Sequence, residues 1–142
     1  MVPTLNHIIK ILIITQIIFQ MQIKPTIGGV STLEYYEVHI SNGLGPGQPP
    51  VRLRCQSKSD DFGTRILQRG QTMNWGFAVN FWGTTLYFCH FYWKDQQISF
   101  DVFRAEDENN LSRRETYWDV REDGFYHRRN HEDWVRKHGW DQ

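Results

Sequence analysis

The sequence predicts an all-β domain, a sandwich or barrel of short strands, on three observations. Short runs alternate apolar and polar residues with period two. Clusters of Gly, Pro, Asn and Asp separate those runs at close spacing. Aromatic residues make up 15% of the 142-residue chain, with nine Phe, six Tyr and six Trp, enough large side chains to fill a small core. No sustained 3.6-residue periodicity occurs before residue 127, and the length fits one domain.

The strands follow in order. "YYEVHI" sets Tyr36, Val38 and Ile40 on one face, and the Gly/Pro-rich "NGLGPGQPP" then ends the strand. "VRLRC" alternates strictly, with Val51, Leu53 and Cys55 inward and Arg52 and Arg54 outward. "WGFAVNF" groups Trp75, Phe77, Val79 and Phe81 against small or polar neighbours. "TTLYFCHFYW" is apolar on both faces, as a central strand is, with Tyr87, Cys89, Phe91 and Trp93 sharing one of them. "QISFDVF" aligns Ile98, Phe100 and Val102. "TYWDV" and "GFYHR" flank "REDG", whose Asp123-Gly124 is a hairpin signal. The last segment, "RRNHEDWVRKHGW", fits a charged helix or a strand equally well.

The amino terminus has a different character. His7 and Lys10 precede an apolar run from Ile11 to Phe19, broken only by Thr15 and Gln16, and Gly28-Gly29 follow. The run is shorter than the ~20 apolar residues of a membrane span. A positive end, a short apolar stretch and small residues form the pattern of a secretory signal peptide, here residues 1–29, leaving residues 30–142 as the mature domain. An uncleaved anchor is the other reading. Removing residues 1–29 takes away Lys10 and Lys24. The mature chain then has 14 basic against 16 acidic residues, a formal charge of −2. Neither the whole chain, with 16 of each sign, nor the mature part carries the basic excess that a nucleic-acid binder needs.

Export gives the two cysteines a meaning. In an oxidising compartment the even pair Cys55 and Cys89 reads first as a disulfide, closing a loop of about 35 residues worth ~4 kcal/mol. Two buried free thiols are the alternative. Asn110-Leu111-Ser112 is an N-glycosylation sequon in the polar stretch "RAEDENNLSRRE", which is either glycosylated or an unmodified surface loop.

Candidate chemistry is sparse. Asp60-Asp61, within "CQSKSDDFG", are adjacent carboxylates. In an extended segment they point to opposite faces and form no facing acid–base pair. In a turn both bond nearby backbone N–H groups. No EF-hand spacing surrounds them, so cation binding and hydrolytic catalysis are the lesser readings. His127 and His131 stand four apart, but Arg128 occupies the place of the metalloprotease Glu, and no metal site is expected. No nucleophile elbow or P-loop occurs, so no catalytic residue and no cofactor is expected. Trp93, Trp134 and Trp140 are candidates for stacking on sugar rings.

"VHISNGLGPGQPPVRLRCQSKSDDFGTRIL", "MNWGFAVNFWGTTLYFCHFYW", "WDVREDGFY" and "WVRKHGW" together resemble the plant self-incompatibility S-protein family over about residues 36 to 140. The resemblance rests on an ordered set. It runs from a strand ending in Asn42 to Cys55-x-Ser57-x-x-Asp60-Asp61-Phe62-Gly63. It continues through Trp75-x-Phe77, Thr85-Leu86-Tyr87-x-Cys89 and the Trp118…Asp123-Gly124 hairpin. It implies a small, secreted, antiparallel β-sandwich without catalytic machinery, acting as a monomeric ligand for a receptor on the surface of a target cell. It also implies that the last segment is a strand and that Cys55 pairs with Cys89. Members carry four cysteines, and the pair missing here falls near "NNLSRRETYW". Ser57, Asp60, Asp61 and Gly63 are then a motif turn. The loops at 42–50, 57–63, 94–97 and 105–115 are the candidate recognition surface. The founding members reject self pollen. A related signalling role in plants and a secreted carbohydrate-binding module are the neighbouring readings.

Overall fold

The computed structural model describes residues 2–20, 34–107 and 114–141, which fall into two compact units, Met1–Thr32 and Leu33–Gln142. In the first unit the apolar run forms a helix, α1 (Leu5–Gln20), started by Thr4, whose carbonyl accepts the His7 N–H at 2.7 Å. No helix among the described residues is long and apolar enough to cross a membrane. The cleavage region expected at Gly28-Gly29 lies outside the described residues, as does Asn110.

The second unit is built of β1 (Tyr35–Asn42), β2 (Val51–Gln56), β3 (Asp61–Leu67), β4 (Thr72–Ala78) and β5 (Leu86–Trp93). These are followed by β6 (Gln96–Arg104), β7 (Glu115–Arg121), β8 (Gly124–Arg129) and β9 (Val135–His138). One sheet has the order β4-β1-β7-β8-β9 and the other β3-β2-β5-β6. The two sheets enclose one aromatic core, as in a β-sandwich. Among the described residues all pairings are antiparallel except β1 with β7, which run parallel with Glu37 beside Glu115. That pair departs from the all-antiparallel expectation. Sequence alternation does not reveal strand direction, because it reports only which face is buried.

Alternation located the core well. Tyr36, Val38 and Ile40 of β1, Val51, Leu53 and Cys55 of β2, and Tyr87, Cys89, Phe91 and Trp93 of β5 are all buried. On β6 a bulge between the Tyr87–Phe103 and Phe88–Asp101 pairs turns both Val102 and Phe103 inward. The Trp118 indole N–H crosses from β7 to the Val102 carbonyl of the other sheet at 2.9 Å, tying the layers together. The final segment is the strand β9, and the helix is excluded.

Four local expectations change. β4 ends at Ala78, so Phe81 does not join Trp75 and Phe77 in the core and is 81% exposed. β5 is apolar on both faces, yet only one is covered. Phe88 and Tyr92 are half-buried and His90 is exposed on the outer face. β3 was not anticipated because it is a sheet edge with one buried residue, Leu67, and its apolar residues Phe62, Ile66 and Leu67 do not alternate. The turn between β7 and β8 is Glu122-Asp123, and Gly124 opens β8 with φ of 143°. A Cβ at Gly124 would stand 2.1 Å from the His138 carbonyl oxygen, so that position excludes any side chain.

Candidate functional site

The stretch from Cys55 to Gly63 is organised from the disulfide outward. Cys55 on β2 and Cys89 on β5 are direct cross-strand partners, fully buried, with Cα atoms 4.1 Å apart and a bond joining their sulfurs. The bridge lies within one sheet, between adjacent strands. Past Gln56 the chain turns on Ser57. Its N–H donates to the Asp60 carbonyl at 2.8 Å, and its hydroxyl accepts the Asp60 N–H at 3.0 Å. The Asp60 carboxylate accepts from the Ser57 hydroxyl at 3.1 Å and from the Tyr87 hydroxyl at 2.7 Å. Burial first, and then this bond to Asp60, push the Tyr87 phenol up to about 12.

Asp61 points elsewhere. It opens β3 and pairs with Arg54 across the strands, also accepting from Gln56 at 3.2 Å and from the Gly63 N–H at 2.9 Å. The Arg54 guanidinium, followed by the Gly63 amide, lowers its carboxyl to about 2. Phe62 and Gly63 together stand opposite Cys55, a β-bulge in which Gly63 takes a left-handed φ of 67°. Gly63 therefore shapes a bulge rather than the turn itself. The structure brings Ser57 and Asp60 together and separates Asp60 from Asp61, each carboxylate held by a different structural donor. That arrangement positions a turn and offers no shared proton between two acids.

Two of the tryptophans expected to stack on sugar are packed away, and the third, Trp134, is half-buried. Trp93 and Trp140 are buried with ring centroids 5.4 Å apart, and the Trp140 indole N–H donates to the Arg121 carbonyl at 2.9 Å. Trp134 lies beneath two guanidinium groups, Arg128 at 4.7 Å and Arg121 at 5.5 Å. These belong to a cation–aromatic ladder in which Arg121 also covers Tyr126 and Arg128 covers Tyr117, on which His39 stacks at 4.6 Å.

His127 and His131 do not share a helix face. His127 sits in β8, 2.6 Å from the Thr116 hydroxyl and against Trp118, where burial and then the charges of Arg129 and Lys137 lower it to about 4. It lines a cleft of about 440 Å³ with Thr116, Trp118, Arg104, Arg129 and Lys137. The parallel β1–β7 register gathers Glu37, His39 and Glu115, with His39 Nε2 3.3 Å from the Glu37 carboxylate. Sequence spacing could not show this grouping, because it depends on strand order.

The aromatic surface that alternation misplaced lies on the turn between β4 and β5. Phe81 and Trp82 are each 81% exposed and occupy the two central positions of a turn closed by the Gly83 N–H on the Asn80 carbonyl at 3.0 Å. The Asn80 side chain accepts the Thr84 N–H at 2.9 Å and donates to the Thr84 hydroxyl at 3.0 Å. The Asn80 N–H donates to the Thr85 hydroxyl at 2.9 Å. Gly83, with φ of 65°, completes the reversal. β2 and β5 are antiparallel, so this turn and the Ser57–Asp60 turn emerge at the same end of the sandwich.

Fold and site together define a disulfide-stapled β-sandwich that presents hydrogen-bonded turns around an aromatic core. The chain belongs to the plant self-incompatibility protein S1 family, whose model matches residues 37–140. It is 36% identical over 91 residues to S-protein homolog 2 of Arabidopsis thaliana, covering 61% of this chain and 56% of that protein. It is 39% identical over 90 residues to S-protein homolog 20 of the same plant, covering 61% of this chain and 64% of that protein. The match thus spans less than two thirds of these relatives' length. The fold is shared with a solved structure described as a self-incompatibility protein homologue. The TM-score is 0.63 at 18% identity, covering 77% of this chain and 96% of that one. That structure is described as one of a widespread family of small, highly stable, secreted proteins from plants.

Proposed function

We propose that the chain is exported after loss of residues 1–29 and acts outside the cell as a non-enzymatic ligand for a cell-surface receptor. The role is rejection of self pollen or a related form of cell–cell signalling in plants. Family membership supports the class. The observation that carries the ligand reading is the end of the sandwich where two hydrogen-bonded turns, Ser57–Asp60 and Asn80–Thr85, flank the buried disulfide strands. A rigid scaffold that fixes exposed loops lowers the ordering cost of recognition. Both aspartates are committed to the turn and the strand edge, which gives the hydrolase reading no support. The carbohydrate-binding reading loses Trp93 and Trp140 to packing and keeps only Trp134, half-buried beneath two guanidinium groups.

Expression of the full chain in plant cells tests export. The expected product appears in the medium, begins near residue 30 and contains no free thiol. Retention of the unprocessed chain inside the cells contradicts the proposal. If Asn110 carries a glycan, the secreted product loses mass on deglycosylation and the Asn110→Gln product does not.

A further inference from the structure

We infer that Phe81 and Trp82 are the anchor residues of the recognition surface, and that the anchor seats in an apolar pocket of a protein partner rimmed by basic residues. This inference rests on the ligand reading above and names the contact and the chemistry of its other side.

Each ring is 81% exposed on a turn whose conformation is fixed by bonds from Asn80 to Gly83, Thr84 and Thr85. The core already takes Trp75, Phe77 and Tyr87 from the flanking strands, so the fold makes no use of these two rings. Large aromatic side chains on a preorganised turn have the properties of binding hot spots. They bury much area and lose little conformational freedom on contact.

Three occupants could cover such a pair, and the surroundings choose among them. The rings meet edge to face at 85° with centroids 5.2 Å apart, so together they offer no flat platform for a sugar. The turn is tied at one side to Glu34, whose carbonyl accepts the Val79 N–H. At the other side Thr85 accepts the Ala105 N–H, which brings up the exposed Glu106 and Asp107. The nearby Arg104 is already bound by Asp101 and lies 3.9 Å from Asp107. On the segments bonded to the turn, Glu34, Glu106 and Asp107 thus stand against one base, Arg104, and Lys58 and Asp60 of the neighbouring turn offset each other, so the balance beside the rings is acidic. Such a rim is repelled by an anionic lipid surface and attracted by a basic one on a protein.

The test uses the full chain expressed in plant cells and recovered from the medium, as wild type and as Phe81→Ala/Trp82→Ala. Both are labelled and titrated onto intact plant protoplasts, onto protoplasts shaved with trypsin, and onto phosphatidylcholine vesicles with and without phosphatidylserine. A glycan array completes the set. Wild type is expected to bind protoplasts displaceably, to lose that binding after shaving, and to bind more weakly as salt rises. The double variant is expected to keep its melting temperature and to bind roughly 30-fold more weakly or worse, as loss of a hot spot does. Displaceable wild-type binding that the double variant matches within roughly threefold overturns the anchor and leaves the ligand reading standing. Vesicle or array binding that disappears in the double variant makes lipid or glycan the occupant and overturns the proposal. Absence of any displaceable wild-type binding overturns both.

Discussion

The Tyr87 hydroxyl donates to the Asp60 carboxylate at 2.7 Å, fastening an exposed turn to the core strand that carries half of the disulfide. The bond explains why an outwardly polar stretch, Ser57–Asp60, holds one conformation. Tyr87→Phe is expected to cost about 1.5–3 kcal/mol in urea unfolding, the range for a hydrogen bond to a charged group. In a double-mutant cycle with Asp60→Ala, most of that cost should vanish once the partner is gone. Independent, additive losses would show that the two groups do not interact. The phenol adds a pH dependence. The unfolded tyrosine ionises near 10 and the folded one near 12, so this contribution is complete below pH 10 and is lost as pH rises towards 12.

The Cys55–Cys89 bridge joins residues 34 apart in sequence. Cys55→Ala/Cys89→Ala is expected to lose ~4 kcal/mol of stability in the chain-entropy model. Thiol titration of the denatured wild type should find no reactive sulfhydryl. Wild-type stability in the double variant would remove the bridge from the account of why so small a domain is stable.

His127 makes stability sensitive to mild acid. Its folded pKa, about 4, lies below the unfolded value of 6.5, so the unfolded chain takes up the proton first. The contribution is full above pH 6.5 and disappears as pH falls through 4, on the order of 1–2 kcal/mol after allowing for solvent screening. Melting temperatures measured from pH 7 to pH 4 should fall more steeply for wild type than for His127→Gln. Parallel curves would place the acid sensitivity elsewhere. Asp61, lowered to about 2, acts only below the range where His127 does.

Trp134 is covered by Arg121 and Arg128, each of which faces a second aromatic ring. Trp134→Ala should cost about 1–2 kcal/mol, the sum of two cation–π contacts with some lost packing. It should change no signal on a glycan array. Unchanged stability with loss of a specific glycan signal would restore the sugar-stacking role.

The core was legible because burial on one face leaves a period-two pattern, as in Val51, Leu53 and Cys55. Strand β3 was not, since an edge strand with one buried residue leaves almost no pattern. The same rule misplaced Phe81. Period two continued past Ala78 in sequence, while the Asn80 hydrogen bonds ended the strand in space. Asn42 shows the reverse case. The motif marked it as the residue where a strand gives way to a loop, but not its reason. Its buried side chain donates to the Leu67 carbonyl at 2.8 Å and accepts the Leu44 N–H at 3.0 Å. Of the candidate site, a turn at the two aspartates was readable from residue type, but only Asp61 accepts a backbone N–H, while the Asp60 carboxylate takes the Ser57 and Tyr87 hydroxyls instead. The Tyr87 partner 27 residues away was not readable, because it depends on how β2 and β5 are registered.

The central claim is recognition at a cell surface, and an equilibrium binding isotherm on intact plant cells tests it most directly. The labelled protein recovered from the medium is titrated with and without excess unlabelled protein. A saturable component that the unlabelled protein displaces is expected. Binding that never saturates and is not displaced contradicts it.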